Sequence, residues 1–484
     1  MPSESGAGEA GGTAATGEAG DTGEFDLVIV GSGSANSIPG PEFDDWSIAL
    51  VERGVFGGTC LNVGCIPSKM LVYAADVVDT VETAGVYGIS ASAQGADWPA
   101  IRDRVFERID PIAQAGKEYR HGAECPNVCV YEGEARFIGD RELDVRLNDG
   151  GTARVRGRHV VLGAGARPFI PPFPGLDRSP YHTSDTVMRL EELPERMMVL
   201  GGGYIAAELG YVFAALGVEV MLVNRSERLL RAEDDDVSEA FTRAAAQRFD
   251  LRLGATVTNV RPMPDGVLVE FATSTSRGHG NVDVLLVATG RMPNGDLLNL
   301  EAGAVAHERG RVLVDEHFRT SAPGVWSFGD LASEIQLKHL ANAQVRALRH
   351  NLLVAEGQAE GPMRSVCERF VPHAVFSHPQ VASVGLTERA ARAGGLPVSV
   401  AIKPYGDTAY GWAMEDSTSF VKLIAHAQTR ELLGAHIIGP QASTLIQPLI
   451  SGMTFGQTVD QMAHDQFYIH PALTEVVENA LLDL

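Results

Sequence analysis

Cysteine is scarce in this chain. Only five occur among 484 residues, and an odd number spread over that length does not form a secreted disulfide framework. A chain of this size with 45% hydrophobic residues can build its cores without disulfide staples. We therefore expect a cytoplasmic protein, and any two cysteines that stand close together indicate redox or metal chemistry.

Positive charge is also lacking, since the formal net charge is -23 at pH 7. A surface of that sign repels nucleic acid and anionic membranes overall, so neither is expected as a partner, although a local basic pocket can bind a small anion. No uninterrupted run of about 18 apolar residues occurs, so a membrane-spanning helix is not expected either.

Residues 1–24 contain no Lys or Arg and almost no large apolar side chain. This composition predicts a disordered acidic tail. The same residues lack the basic start and the apolar core of a signal peptide, so secretion is not expected.

Two segments share the order strand, glycine-rich turn, helix, strand: "FDLVIVGSGSAN" leading to "SIALVE", and "RMMVLGGGYIAAELGYVFAALGVEVMLVNR". We call them the first and second nucleotide-binding units, because this order with G-x-G-x-x-G spacing is typical of βαβ dinucleotide sites. One match is weak among 53 glycines, but two, each between a strand and a predicted helix, are strong. The positions of the pattern are Gly31, Gly33 and Asn36 in the first unit, and Gly201, Gly203 and Ala206 in the second.

In both units we expect a short helix whose free N–H groups bind a pyrophosphate. The residue that ends the second strand of each unit selects the nucleotide, because an acid bonds a ribose hydroxyl and arginines accept a 2'-phosphate. Glu52 ends the first unit and favours the free ribose of FAD or NAD. Asn224 ends the second and is followed by Arg225, Arg228 and Arg231, which favours NADPH over NADH; the alternative is a solvated basic patch.

Later segments extend this organisation. "GVWSFGDL" ends a strand at Asp330, whose carboxylate can reach a polyol hydroxyl. After about residue 360 the pattern changes to mixed strands and helices, as in "HAVFSHPQVASVGL" and "SFVKLIA". We therefore predict an α/β protein with two Rossmann-like dinucleotide-binding domains and a C-terminal α+β domain.

Cys60 and Cys65 lie close together in "GGTCLNVGCIPSKM", so they bind a metal, staple a loop or exchange electrons. A disulfide across so short a loop at a helix start is exposed and easily reduced, which favours electron exchange. A zinc site needs about four ligands. The other close cysteine pair, Cys125 and Cys129, has a proline between its members and an apolar context, which indicates a structural role. A purely structural Cys60–Cys65 pair remains the alternative.

The order of these motifs, together with "VATGRMPN" and the terminal "YIHPALTEVVENALL", resembles the pyridine nucleotide-disulfide oxidoreductases. The resemblance covers residues 25–484. It implies an FAD-binding domain (25–165 and 290–360), an NADPH-binding domain (166–289) and a dimerisation domain (361–484) of a homodimer with shared active sites.

Within that family, "GSGSAN", "YHTSDTVMRLEELPE", "LKHLANAQVRALRHNLL" and "YGDTAYGWAMEDS" are most similar to the branch that reduces mycothione, the disulfide of mycothiol. The alternatives are the branches that reduce glutathione disulfide or oxidise dihydrolipoamide.

The resemblance also implies residue roles. Cys65 faces the flavin, and the more accessible Cys60 attacks the substrate disulfide. His470, oriented by Glu475, is the acid-base residue and reaches Cys60 across the dimer interface. A second His-Pro sequence at His378 has no acid at the same spacing.

Lys69 and Glu208 correspond to the family's ion pair beside the flavin, and Tyr204 to an aromatic lid over the nicotinamide pocket. Their alternatives are a solvated helix lysine and ordinary helix packing. Further implied positions are, for FAD, Ser34, Gly58, Thr59, Lys69 and Gly165, and for NADPH, Ile205 and Gly290.

Overall fold

A computed structural model describes residues 22–484. The first unit belongs to a six-stranded sheet. Its strands are Thr22–Val30, Ile48–Glu52, Val128–Gly139, Glu142–Leu147, Thr152–Leu162 and Val325–Ser327. The first strand runs parallel to the second and the fifth, and Val30 aligns with both Val51 and Leu162. The carboxyl ends of three strands therefore meet at the first glycine turn.

The first strand begins at Thr22, so residues 22–24, expected in the tail, are part of the sheet. The remainder of the expected tail lies outside the described residues. Four helices accompany this sheet: Gly58–Asn62, Cys65–Thr83, Trp98–His121 and Lys338–Ala355.

The expected helix of the first unit is replaced by a single 3-10 turn, Ser34–Ser37. Pro39 and Pro41 follow it, and proline interrupts helices because it lacks an N–H and clashes with the preceding turn. A second 3-10 turn, Pro41–Phe43, leads into the next strand. The first unit thus has only 3-10 turns where a short helix is predicted.

The second unit lies in a four-stranded parallel sheet. Its strands, in spatial order, are Val284–Val287, Arg196–Leu200, Glu219–Val223 and Asp250–Arg252. Here the predicted helix is present as Tyr204–Ala215, and a further helix spans Asp235–Ala245. An antiparallel three-stranded sheet covers this domain, with strands Thr256–Met263, Gly266–Ala272 and Arg277–Val282.

The C-terminal part is built on an antiparallel five-stranded sheet. Its strands, in spatial order, are His373–Val375, Val381–Gly385, Leu432–Ile438, Phe420–His426 and Val398–Pro404. The helices here are Glu388–Ala393, Ala409–Ala413, Ala442–Leu445, Gln447–Thr454, Val459–His464 and Thr474–Leu482. The predicted fold class, two Rossmann-like domains and a C-terminal α+β domain, is confirmed.

Short elements complete the fold. Strand Ala166–Pro168 pairs with Arg291–Pro293, and His307–Glu308 pairs with Arg311–Val312. A short helix spans Ser184–Val187. Further 3-10 turns are Ala84–Tyr87, Leu176–Arg178, Asn294–Leu297, Gly329–Leu331 and Tyr405–Asp407.

The largest apolar core joins the first domain to the second unit. Helix Cys65–Thr83 contributes Leu71 and Val72 to it, and helix Tyr204–Ala215 contributes Val212 and Phe213. Burying such side chains is the main source of folded stability, so these two helices are fixed against each other.

One helical run, Gly58–Tyr87, meets the length and composition of a membrane-spanning helix, a test that core helices of other proteins also meet. In this structure its Asp79 accepts hydrogen bonds from Arg248 at 2.9 Å and from Tyr211 at 3.0 Å. Both partners belong to the second domain, so the run is a packed helix between the two nucleotide-binding units.

Candidate active site

Cys60 and Cys65 form a disulfide at the junction of two helices. Cys60 lies within Gly58–Asn62, and Cys65 is the first residue of Cys65–Thr83. A helix N-terminus stabilises a thiolate, so this position suits a Cys65 that holds negative charge after reduction.

The two cysteine residues differ in exposure within the single chain. Taken over the whole residue, Cys65 is exposed and Cys60 is half-buried. The short helix that contains Cys60 ends at the buried Asn62, whose amide donates to the Phe56 and Gly58 carbonyls. These bonds hold the loop that carries Cys60.

Lys69 lies one helical turn after Cys65 and pairs with Glu208 of helix Tyr204–Ala215, at 2.6 Å between Nζ and Oε2. Glu208 is buried and also accepts the backbone N–H of Phe376 at 2.9 Å. Burial raises the pKa of Glu208, and the Lys69 ammonium opposes that shift. The two predicted residues are therefore brought together, with their acid held by a backbone N–H from the C-terminal part.

Phe376 was missed by sequence reasoning. Its contribution is a backbone N–H, which no residue type reveals, and its ring lies 4.9 Å from the Lys69 ammonium. A cation over an aromatic face is attracted by the ring quadrupole. Lys69 is thus held from two sides, and the interpretation of a solvated helix lysine does not describe it.

His470 and Glu475 form the second predicted pair, at 2.6 Å between Nδ1 and Oε1. The imidazole side chain is 74% exposed, whereas the carboxylate is only 18% exposed. A half-buried carboxylate on one ring nitrogen fixes the orientation of the imidazole. The other His-Pro residue, His378, instead stacks on Tyr211 and lies 3.5 Å from Asp79.

The first glycine turn is shaped by a close backbone approach. Gly31 has a φ of +104°, and a Cβ there would meet the Gly163 carbonyl. Next to it, Glu52 accepts three hydrogen bonds of 2.7 Å, from the Ser32 N–H, the Ser32 hydroxyl and the Gly54 N–H. Ser32 was missed, although its place between the two patterned glycines is a readable signal.

The turn also contacts the segment that carries the cysteines. A Cβ on Gly58 would lie 2.7 Å from the Gly33 Cα, so the two backbones touch. Thr59 follows in the same short helix as Cys60. The turn residue Ser34 accepts a hydrogen bond from Lys338 at 2.8 Å.

Asn36 does not pack a helix onto a strand, as the glycine pattern predicted. Its side chain accepts from the buried Arg120 at 2.8 Å, and Arg120 also donates to the Asn36 carbonyl at 2.6 Å. The short helix expected after the glycines of the first unit is only the four-residue 3-10 turn Ser34–Ser37.

Asp330 follows strand Val325–Ser327 within a 3-10 turn. Burial raises the pKa of its carboxyl, and the positive charges of Arg291 and Lys338 oppose that shift. A partly buried carboxylate near two cations is suited to accept a hydroxyl. With the close glycine backbones at the turn, these residues fit FAD.

The second glycine turn repeats the close approach. Gly201 has a φ of +132°, and a Cβ there would meet the Ala288 carbonyl. Around Gly203 there is open space, and the helix begins at Tyr204, which is 45% exposed, followed by the half-buried Ile205. This turn and its helix fit a dinucleotide pyrophosphate.

Asn224 is hydrogen-bonded to the loop that contains Arg225 and Arg228. Its amide donates to the Ser226 carbonyl at 3.0 Å and to the Arg228 carbonyl at 3.1 Å. Arg225 and Arg231 are exposed, whereas Arg228 pairs with Asp235 at 3.6 Å. Arg225 and Arg231 are therefore exposed arginines beside the strand end at Asn224.

Gly165 and Gly290 flank the ribbon formed by Ala166–Pro168 and Arg291–Pro293. The Gly165 carbonyl accepts from Asn294, and the Gly290 carbonyl accepts from Phe169. Both lie where the chain passes between the first and second domains. From Thr22 to the C-terminus, no group of three or more His, Cys, Asp or Glu residues is placed to hold a metal ion.

Residues 25–345 match the family of the pyridine nucleotide-disulphide oxidoreductases, and residues 371–481 match the dimerisation domain of the same family. Mycothione reductase of Mycobacterium tuberculosis is 49% identical over 462 residues, covering 95% of this chain and 99% of that protein. Mercuric reductase of Staphylococcus aureus is 32% identical, covering 95% of this chain and 82% of that protein.

Dihydrolipoyl dehydrogenase of Chlamydia muridarum is 30% identical, covering 95% of this chain and 96% of that protein. Among solved structures, the HOCl-induced flavoprotein disulfide reductase of Escherichia coli superposes with a TM-score of 0.81 at 27% identity, over 95% of this chain and 99% of that one. The chain therefore belongs to the pyridine nucleotide-disulphide oxidoreductases, enzymes that use FAD and a nicotinamide nucleotide.

Proposed function

We propose that this flavoprotein disulfide reductase uses NADPH to reduce mycothione to mycothiol in the cytoplasm. The proposed substrate rests on the difference in sequence identity between this chain and its relatives. Mycothione reductase is 49% identical over 95% of the chain, whereas the mercuric and dihydrolipoyl enzymes, at the same coverage, are 32% and 30% identical. A gap of that size over one shared fold favours a shared substrate.

The proposal gives each sulfur one task. Bound FAD and NADPH supply the two electrons that open the Cys60–Cys65 disulfide. Cys60 then attacks one sulfur of the substrate disulfide as a thiolate and releases the first thiol. Cys65 attacks Cys60 in turn, which re-forms the protein disulfide and releases the second thiol.

His470 supplies the proton that the first leaving thiolate needs. Its Nδ1 is held by Glu475, so the ring has a fixed orientation and its Nε2 is left to exchange a proton. Because the His470 side chain is 74% exposed, it is free to serve a site outside its own chain. We propose that it serves Cys60 of the other subunit in a homodimer, as the dimerisation domain suggests.

The surface beside His470 supports this arrangement. Phe467 and Ile469 precede it, and they are 105% and 75% exposed. Large apolar side chains that are this exposed mark interaction surfaces. Their place next to the proposed acid-base residue fits an interface that completes the active site.

The proposed coenzyme preference and domain assignment follow from the two strand ends. We place FAD along residues 25–165 and 290–360, where Glu52 is available for a ribose, and NADPH along residues 166–289. Residues 361–484 form the proposed dimer interface. Exposed Arg225 and Arg231 beside Asn224 favour the 2'-phosphate.

A substrate comparison tests the proposal. The purified enzyme is assayed for NADPH and NADH oxidation with mycothione, glutathione disulfide and lipoamide, and kcat/KM is compared across the six pairs. We expect the largest value for NADPH with mycothione. A larger kcat/KM for glutathione disulfide would refute the substrate assignment. The largest kcat/KM for lipoamide with NADH would refute both the substrate and the coenzyme assignment.

A further inference from the structure

Lysine is rare in this chain, and one lysine differs from the rest. The sequence contains five: Lys69, Lys117, Lys338, Lys403 and Lys422. Four of them pair with a carboxylate, and the partners are Glu208, Glu132, Asp483 and Asp234, respectively. Within residues 22–484, only Lys338 has no carboxylate within 4.0 Å of its ammonium.

Lys338 is not a solvated surface residue. It is half-buried at the start of helix Lys338–Ala355, and its ammonium donates to the Ser34 hydroxyl at 2.8 Å. Burial lowers the pKa of Lys338, and the nearby Asp330 partly offsets that effect. A half-buried ammonium without an ion-pair partner is costly, and a bound anion would remove that cost.

Lys338 contacts the first unit at the turn that stands where the second unit has an α-helix. In the second unit the glycines lead into the twelve-residue helix Tyr204–Ala215, whose N-terminus carries a partial positive charge. In the first unit they lead into the four-residue turn Ser34–Ser37, which cannot supply an equivalent dipole. Lys338 reaches Ser34 of that turn from a helix more than 300 residues later in the chain.

We propose that Lys338 binds the pyrophosphate of FAD and supplies, from a different helix, the positive charge that the first unit lacks. Ser34 orients the ammonium through the observed hydrogen bond, and Asp330, in the turn that precedes the helix of Lys338, accepts a hydroxyl of the ribityl chain. The inference rests on the proposed placement of FAD along the first unit.

FAD release from the holoenzyme tests this proposal independently of turnover. Wild type, Lys338→Gln, Lys338→Arg and the control Lys403→Gln are diluted to nanomolar concentration, and released FAD is followed by its fluorescence at low and high NaCl. A charge-assisted bond contributes about 1.5–3 kcal/mol, so Lys338→Gln should release FAD at least roughly tenfold faster. Lys338→Arg and Lys403→Gln should release it nearly as slowly as wild type.

Two further measurements, the NaCl dependence of FAD release and the flavin midpoint potential, test whether Lys338 binds the pyrophosphate. FAD release from wild type should accelerate with NaCl, whereas release from Lys338→Gln should respond less, because one screened contact has been removed. Unchanged release from Lys338→Gln, or equal loss from Lys338→Gln and Lys338→Arg, would overturn the proposal. A shifted flavin midpoint potential with unchanged release would overturn it too, since it would place the lysine at the flavin ring.

The wild-type protein distinguishes this proposal from the one it rests on. Wild type purified without FAD would contradict the placement of FAD along the first unit. Wild type with tightly bound FAD and an equally tight Lys338→Gln would overturn only the role of Lys338.

Discussion

The first nucleotide-binding unit follows its glycines with a four-residue 3-10 turn, whereas the second follows them with a twelve-residue α-helix. The strand ends differ in polarity as well. Glu52 accepts three hydrogen bonds from the first unit, and Asn224 donates two to the loop that follows the second. One strand-and-glycine pattern thus ends in opposite hydrogen-bonding roles, an acceptor at Glu52 and a donor at Asn224.

The first unit replaces its helix with aromatic packing. Phe43 and Trp46 are buried, and their ring centroids lie 5.1 Å apart in an edge-to-face arrangement. Trp46 also stacks on His159 at 5.8 Å. Aromatic side chains bury large areas, so two of them can cover the sheet where a helix would otherwise lie.

The largest predicted effect separates chemistry from nucleotide binding. Cys60→Ser removes the nucleophile, and since a serine hydroxyl is not ionised at neutral pH, disulfide reduction should fall by roughly a thousandfold or more. Both nucleotide units are untouched, so FAD content should remain that of wild type. Steady-state turnover and the flavin absorbance spectrum measure the two quantities, and undiminished turnover would show that another group attacks the substrate.

The next largest effect is expected at the two exposed arginines that follow the second unit. In the double variant Arg225→Ala and Arg231→Ala, two charge-assisted contacts to a 2'-phosphate are lost, about 3 kcal/mol together, so KM for NADPH should rise roughly a hundredfold. The KM for NADH should stay unchanged, because NADH has no phosphate there. The matched control is Arg228→Ala, whose side chain pairs with Asp235. An equal rise for NADH would break the proposed contrast between the two units.

A smaller effect is expected at the ribose-binding strand end. Glu52→Gln keeps the shape but directs an amide group at donors that now bond a carboxylate, Ser32 and Gly54. One unsatisfied donor costs about 1–3 kcal/mol, so FAD should dissociate roughly tenfold or more faster. The rate is measured by flavin fluorescence after dilution, and KM for NADPH serves as the control that should not move. A rise in KM for NADPH without faster FAD release would contradict the proposal, because it would show that the first unit binds NADPH.

Sequence reasoning succeeded where a local pattern determines the structure. The apolar runs before Gly31 and Gly201 predict strands, and both glycines have the positive φ that their turns require. The prolines at 39 and 41 are an equally local signal against an α-helix, and in the structure they outweigh the glycine pattern. The absence of the helix could therefore have been predicted.

Other features depend on contacts between distant parts of the chain. Lys69 and Glu208 are 139 residues apart, and only the family resemblance paired them before the structure did. The Phe376 N–H that completes this pair is a backbone group and leaves no trace in residue type. The hydrogen bond from the Asn62 amide to the Phe56 carbonyl, which holds the loop around Cys60, is likewise not visible in the spacing of the motif.

The smallest predicted effect tests whether Asn224 acts through the loop. Asn224→Asp removes the donors to the Ser226 and Arg228 carbonyls, and losing two neutral hydrogen bonds costs about 1–2 kcal/mol. The loop that presents Arg225 should loosen, and KM for NADPH should rise several-fold with kcat unchanged. The new carboxylate can accept a ribose hydroxyl, so KM for NADH should stay the same or fall. The control is Asn148→Asp, since the Asn148 amide donates to the Arg53 carbonyl beside the first unit. If both variants weaken NADPH equally, the effect is general charge repulsion and Asn224 has no special part in coenzyme choice.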